Sequence, residues 1–118
     1  MKMKRLLAGI CCAAMALGAF TGCQSTGGND GYNVAIVQLV DNGAFTEMRD
    51  AFIQEMRDLG YGEDEMTFDV LNAQGDTSTL NSICADLNNQ DYDLIVPIVT
   101  PATQAVVNAE PDAPVVFI

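Results

Sequence analysis

Short apolar runs alternate along this chain with longer stretches in which apolar residues recur every three or four positions. Residues 33–39 (NVAIVQL) are nearly continuous in strand-forming side chains and predict a first buried strand. The run gives way to Asp41-Asn42-Gly43, whose side chains favour turns and helix caps. From Ala44 a helical spacing takes over: Met48, Ala51, Phe52, Met56 and Leu59 fall on one stripe, and Gly60 and Gly62 stop it. Residues 67–71 (TFDVL) predict a second strand and residues 72–76 (NAQGD) a loop. Leu80, Ile83, Cys84 and Leu87 then make a second stripe, with Asp76, Thr77 or Ser78 placed to cap it. Residues 94–99 (LIVPIV) predict a third strand, apolar throughout as in a strand covered on both faces, with Pro97 where its missing N–H does no harm. Ala102, Ala105, Val106 and Ala109 predict a short third helix, and residues 114–118 (PVVFI) a fourth strand.

Strand and helix alternate without internal repeat or low-complexity block. Right-handed crossovers then place the strands in a parallel sheet with helices on both faces. The expected fold is α/β, an open doubly wound parallel sheet of order 2-1-3-4. In such sheets a ligand sits beyond the carboxyl ends of the strands, where the order reverses. Three loops converge there: residues 40–45, 72–76 and 100–104.

The amino end has a different character. Lys2, Lys4 and Arg5 precede an uncharged run over residues 6–20, the charged and apolar regions of a secretory signal. The run is shorter than the roughly 20 apolar residues a spanning helix needs. It is followed by Phe20-Thr21-Gly22-Cys23, which resembles the bacterial lipobox, with Phe20 where that pattern prefers Leu. The resemblance implies cleavage before Cys23 and a diacylglycerol on its thiol, so residues 1–22 are expected to be a lipoprotein signal peptide. Residues 23–31 are small, polar and Gly-rich, a flexible tether. The expected location is the extracytoplasmic face of the cell membrane, reached through the lipid on Cys23.

Removal of the leader changes the charge and cysteine balance. Arg49 and Arg57 alone then face all 16 acids, a net charge of −14 that repels phosphate backbones, so no nucleic-acid partner is expected. Cys11 and Cys12 leave with the leader and Cys23 is committed, so Cys84 is the remaining thiol and is expected to be a buried small hydrophobe. With no histidine in the sequence, no metal site or cofactor is expected. No lysine follows the leader, and neither a G-x-S-x-G elbow nor a P-loop is present, so the chain is expected not to be an enzyme.

The converging loops supply the candidate binding residues. Thr100 before Pro101 suits a helix N-cap and first helical position, which would turn the backbone N–H groups of Ala102 and Thr103 outward as a cradle for a carboxylate. Two roles are open to each of Asp41 and Asp76: partner to a ligand ammonium, or helix cap. Phe45 either stacks on a ligand ring or forms the edge of the first helical stripe. Gln38, in an otherwise apolar strand, is placed to aim an amide at the crevice from below.

At these residues the chain resembles the ABC-transporter substrate-binding proteins of the tryptophan and tyrosine uptake group, which share the type I periplasmic-binding fold. The carriers are VAIVQLVDNGAFTEMRDAFIQEMRDLGY, NAQGDTSTLNSICADL, DYDLIVPIVTPATQAV and PVVFI, in that order; N-A-Q-G-D followed by T-L-N is the specific part. The resemblance spans residues 32–118 and implies the amino-terminal lobe, incomplete, of a two-lobed clamp that closes on a small solute and delivers it to a membrane permease with its ATPase. It implies an amino-acid ligand, aromatic such as tryptophan or tyrosine. Thr100, Ala102 and Thr103 would hold its carboxylate, with Gln74, Asp76, Asp41 and Phe45 lining the first lobe's face. Two alternatives share the sheet: a sugar receptor, which wants aromatic stacking and arginine at the loops, and a non-transport surface lipoprotein with a flavodoxin-like domain.

Overall fold

The structure is a computed structural model that describes residues 31–118; the leader, Cys23 and all of the tether but Gly31 lie outside the described residues. Three parallel strands, β1 (Tyr32–Gln38), β2 (Met66–Asn72) and β3 (Leu94–Pro97), form a sheet of order β2-β1-β3. The register pairs Ile36 of β1 with Val70 of β2 and with Val96 of β3. Residues 114–118 run parallel to the far side of β3. They are held by hydrogen bonds from Ile95 N to Pro114 O, Val116 N to Ile95 O, Ile118 N to Pro97 O and Val99 N to Ile118 O. The order is therefore the expected 2-1-3-4, with the fourth position joined to the sheet by one bridge, Ile95 to Val115.

Pro97 removes one rung between β3 and residues 114–118. Alternate residues of β3 turn their backbone groups to opposite neighbours: Ile98 N donates to Val37 O, whereas Ile95 and Pro97 face residues 114–118. The rung onto the Val116 carbonyl would need an N–H at position 97, and proline has none; the pairing resumes beyond it, with Ile118 N on Pro97 O and Val99 N on Ile118 O. The missing donor thus interrupts the outer ladder and leaves the pairing with β1 whole.

Both faces of the sheet are covered. Helix α1 (Gly43–Asp58) packs on one face, where Val34, Ile36, Met66, Val96 and Ile98 form a core with Met48, Phe52 and Met56. Helices α2 (Thr77–Asp86), continued by a 3-10 turn at Leu87–Asn89, and α3 (Val99–Asn108) cover the other, around Ala35, Val37, Leu80, Cys84, Ile95 and Val106. The alternation of β1, even positions to one face and odd to the other, divides the two cores.

Two sequence expectations change at this level. The inward stripe of α1 keeps Met48, Phe52 and Met56 but gains Phe45 and Ile53, while Ala51 and Leu59 turn to solvent. Five apolar positions fit two adjacent stripes on one helix, and the sheet selects the one that carries the larger side chains. The third strand ends at Pro97 and not at Val99, because Val99 turns with φ of 61° and passes directly into α3.

Candidate functional site

The carboxyl ends of the strands carry the three expected loops, and the backbone stitches two of them together. Ala73 N donates to Gln38 O at 2.9 Å and Gly75 N to Leu39 O at 2.7 Å, so the loop after β2 rides on the loop after β1. Between them Val40, Asp41, Asn72 and Gln74 line a cavity of about 400 Å³. Gln74 adopts φ of 54° with its N–H on Asn72 Oδ1 at 2.7 Å, and Gly75 follows at φ of 84°. Two successive left-handed residues turn the chain sharply into α2, and glycine carries the larger departure without a side-chain penalty. A second cavity of about 400 Å³ lies at the start of α3, lined by Val99, Thr100, Thr103, Gln104, Phe117 and Ile118. A smaller one, about 250 Å³, lies on the flank of the sheet beside Tyr92, away from the three loops. There Asp69 Oδ2 accepts from the Tyr92 hydroxyl, and burial together with that carboxylate pushes the phenol up to about 12.

The start of α3 differs from the sequence expectation in a way that alters its chemistry. Ile98, not Thr100, is the N-cap residue, and no side chain caps this end. A helix leaves its first four N–H groups without intrahelical partners. Here Ile98 N goes to Val37 O, Val99 N goes to Ile118 O, and Pro101 has no N–H. The group left over belongs to Thr100. Ala102 and Thr103 lie one step deeper in the helix, Ala102 fully buried, so the expectation that their amides stand open is corrected. The Thr103 hydroxyl turns back to donate to Val99 O at 2.9 Å. Thr100 alone brings both an N–H and an exposed hydroxyl to the cavity, at the positive end of a ten-residue helix.

The remaining expected residues divide between the crevice and the scaffold. Asp76 is the N-cap of α2: its Oδ1 accepts from Thr79 N at 2.6 Å, and that hydrogen bond holds the carboxyl below its usual range. Phe45 packs as the edge of the α1 stripe, and Asn42 caps α1 by accepting from Phe45 N at 3.1 Å. Asp41 lines the first cavity, but Arg49 lies against it at 3.4 Å. Arg49, one turn and a half into α1, thus folds back over the loop after β1. Gln38 is 1% exposed and belongs to the α1 face; its Oε1 accepts from Arg49 Nη1 at 3.3 Å. Because a guanidinium only donates, the amide oxygen must face it, which leaves Gln38 Nε2 without a partner among the described residues. Cys84 is buried in the α2 core, and burial pushes its thiol up, as expected of a packing residue.

Sequence reading missed Asn72, Gln104 and Phe117, which line the cavities, and Arg49. Gln104 and Asn72 sit inside the quoted loops, so their polarity was visible. Phe117 reads as one more apolar strand residue, yet its ring is 71% exposed beside the start of α3.

These features define a class: an open doubly wound α/β lobe whose strand ends carry two cavities and an uncapped helix start, at the place where such sheets hold their ligands. Residues 33–118 match the family described as ABC transporter substrate binding protein, and the chain belongs to that family. It is 30% identical to the tyrosine-binding protein of Clostridioides difficile (strain R20291), over 98% of this chain and 37% of that protein. Among solved structures, an ABC domain from Streptococcus pneumonia in complex with L-Trp superposes with a TM-score of 0.69 at 26% identity, covering 74% of this chain and 30% of that one. A ligand-free, open substrate binding protein with adhesive properties from Clostridium difficile gives 0.68 at 33% identity, covering 73% and 30%. The chain thus spans well under half the length of these relatives.

Proposed function

We propose that the chain forms the first lobe of an uptake receptor that binds an aromatic amino acid, such as tryptophan or tyrosine, and delivers it to a membrane permease and its ATPase. The observation that carries this reading is the open start of α3, where Thr100 offers its N–H and hydroxyl to an anion in a cavity walled by the exposed ring of Phe117. Neither Arg49 nor Arg57 lines that cavity, which favours a single carboxylate over a polyphosphate. The cavity between the first two loops offers the ammonium amide oxygens from Asn72 and Gln74 and a carboxylate, Asp41, that it would share with Arg49. A relative named for tyrosine and a structural neighbour holding L-Trp support the same ligand class. Binding by dipoles and hydrogen bonds, with no chemical step, is the corresponding mechanism. The leader and the lipobox-like Cys23 support a location on the outer face of the membrane, with residues 1–22 removed and 23–31 as the tether.

Calorimetric titration of the protein in its longest natural form with tryptophan, tyrosine and phenylalanine tests the ligand. Thr100→Val, which removes a hydrogen bond to a charged group, is expected to weaken binding about 10- to 100-fold. Thr103→Val, whose hydroxyl already serves Val99, is expected to change it little. Equal losses from both substitutions, or none from Thr100→Val, would remove the site from its proposed place.

A further inference from the structure

The opposite end of the lobe, where β1 begins and α1 ends, presents an apolar patch that the binding function does not use. Tyr32 is 53% exposed, Leu59 62% and Tyr61 38%. The two tyrosine rings meet edge to face with centroids 6.1 Å apart. This patch is held firmly. Arg57 Nη1 donates to the carbonyls of Tyr61, Gly62 and Met66 at 2.8, 2.9 and 2.8 Å, while its guanidinium lies 5.0 Å from the centre of the Phe68 ring. Tyr61 N bonds Met56 O, and Tyr32 N bonds Glu65 O at 2.7 Å. A turn fixed at so many points keeps Leu59 and Tyr61 exposed, an arrangement that a covering surface would relieve.

What covers them follows from the chain that enters beside them. Cys23 precedes Tyr32 by nine residues, a reach of at most about 30 Å and, for a Gly-rich flexible segment, a mean of about 17 Å. Gly31, where that segment meets the lobe, lies so close to the Asp64 carbonyl that a Cβ would stand 3.0 Å from its oxygen. Gly31, the last residue of the tether, therefore lies on the same side as the patch. Tyrosine, with an apolar ring and a polar tip, suits the headgroup level of a bilayer, and leucine the layer just beneath. Resting on the reading of Cys23 as a lipid anchor, we propose that Tyr32, Leu59 and Tyr61 form a membrane-contact surface at the amino end of the lobe, a resting pose that the lobe leaves when it delivers its solute. Exposed Glu63, Asp64 and Glu65 border the patch, so the surface it fits is a zwitterionic one, and contact weakens as anionic lipid is added.

The sequence contains no tryptophan, so a single one placed in the patch reports on it. The lipidated chain carrying Tyr61→Trp is reconstituted in phosphatidylcholine vesicles with brominated acyl chains and compared with Gly43→Trp, at the far end of α1 about 24 Å away. Gly43 points into open space, so that substitution is accommodated. The expected result is an emission loss about twofold or more greater for Tyr61→Trp than for Gly43→Trp, reduced by Leu59→Glu and by added phosphatidylglycerol. Tyr32→Trp has to report the same. If the chain floats with the vesicles but both reporters are quenched equally, the contact is overturned while the anchor stands. If emission shifts with protein concentration and not with brominated lipid, the patch meets a second copy and the proposal fails. A chain that does not float overturns the anchor, and this surface with it; solute binding measured in solution is indifferent to either outcome.

Discussion

Val99 turns the chain from the sheet into α3 with φ of 61°, a left-handed conformation that a β-branched residue adopts at a cost on the order of 1–3 kcal/mol. Its N–H on Ile118 O and its contacts with the α1 core hold it there. Ordinarily, cutting a side chain back further destabilises more. At this position the order is expected to reverse, with Val99→Gly more stable than Val99→Ala by about 1 kcal/mol in urea denaturation, because glycine alone is free of the left-handed penalty. Asp76 gives a second prediction at this scale. Its carboxylate is stabilised in the folded state by the Thr79 N–H, so its contribution is complete above the ordinary carboxylate range and is lost as pH falls through the lower folded value. Asp76→Asn keeps a capping oxygen and cannot titrate. Its denaturation midpoint is expected to fall less than that of the parent between about pH 5 and pH 2. Equal slopes would show that the cap charge is not coupled to folding.

At the scale of elements, legibility depended on how many physical requirements agreed. Helix α2 was readable because Leu80, Cys84 and Leu87 fit a single stripe and Asp76 stood where a cap belongs. Helix α1 was readable in extent and misread in phase, since Ala51 and Leu59 extend the apolar pattern around the helix and only the facing sheet decides between the phases. The start of α3 was misread by two residues for a different reason. Thr100-Pro101 carries the local signature of a cap and first position, yet the turn is made by Val99 and stabilised by a partner nineteen residues away, Ile118, which no local pattern reveals. The same distance effect hid Arg49, whose contact with Asp41 and Gln38 needs α1 to fold back over β1. These packing assignments have a direct check. Leu80→Ala, in the fully formed core, is expected to cost about 2–5 kcal/mol, and Leu59→Ala, outside it, less than about 0.5 kcal/mol by chemical denaturation. Comparable losses would place Leu59 in the core after all.

Across the whole molecule, the alternation of strands and helices was enough to specify an open doubly wound sheet and its order, and membership of the substrate-binding family agrees with both. The cavities were less accessible to sequence reading, because each is assembled from segments separated by a complete strand-helix unit: Asp41 with Gln74, and Thr100 with Phe117. The missing donor at Pro97 has a consequence at this scale. It removes one rung from the pairing of residues 114–118, two of which, Phe117 and Ile118, also wall the cavity at Thr100. Hydrogen exchange is expected to find the Val116 and Ile118 amides opening before those of Ile36 and Val37, and Pro97→Ala, by restoring the absent rung, to slow them. The margin expected to open first is therefore the one that borders the cavity at Thr100.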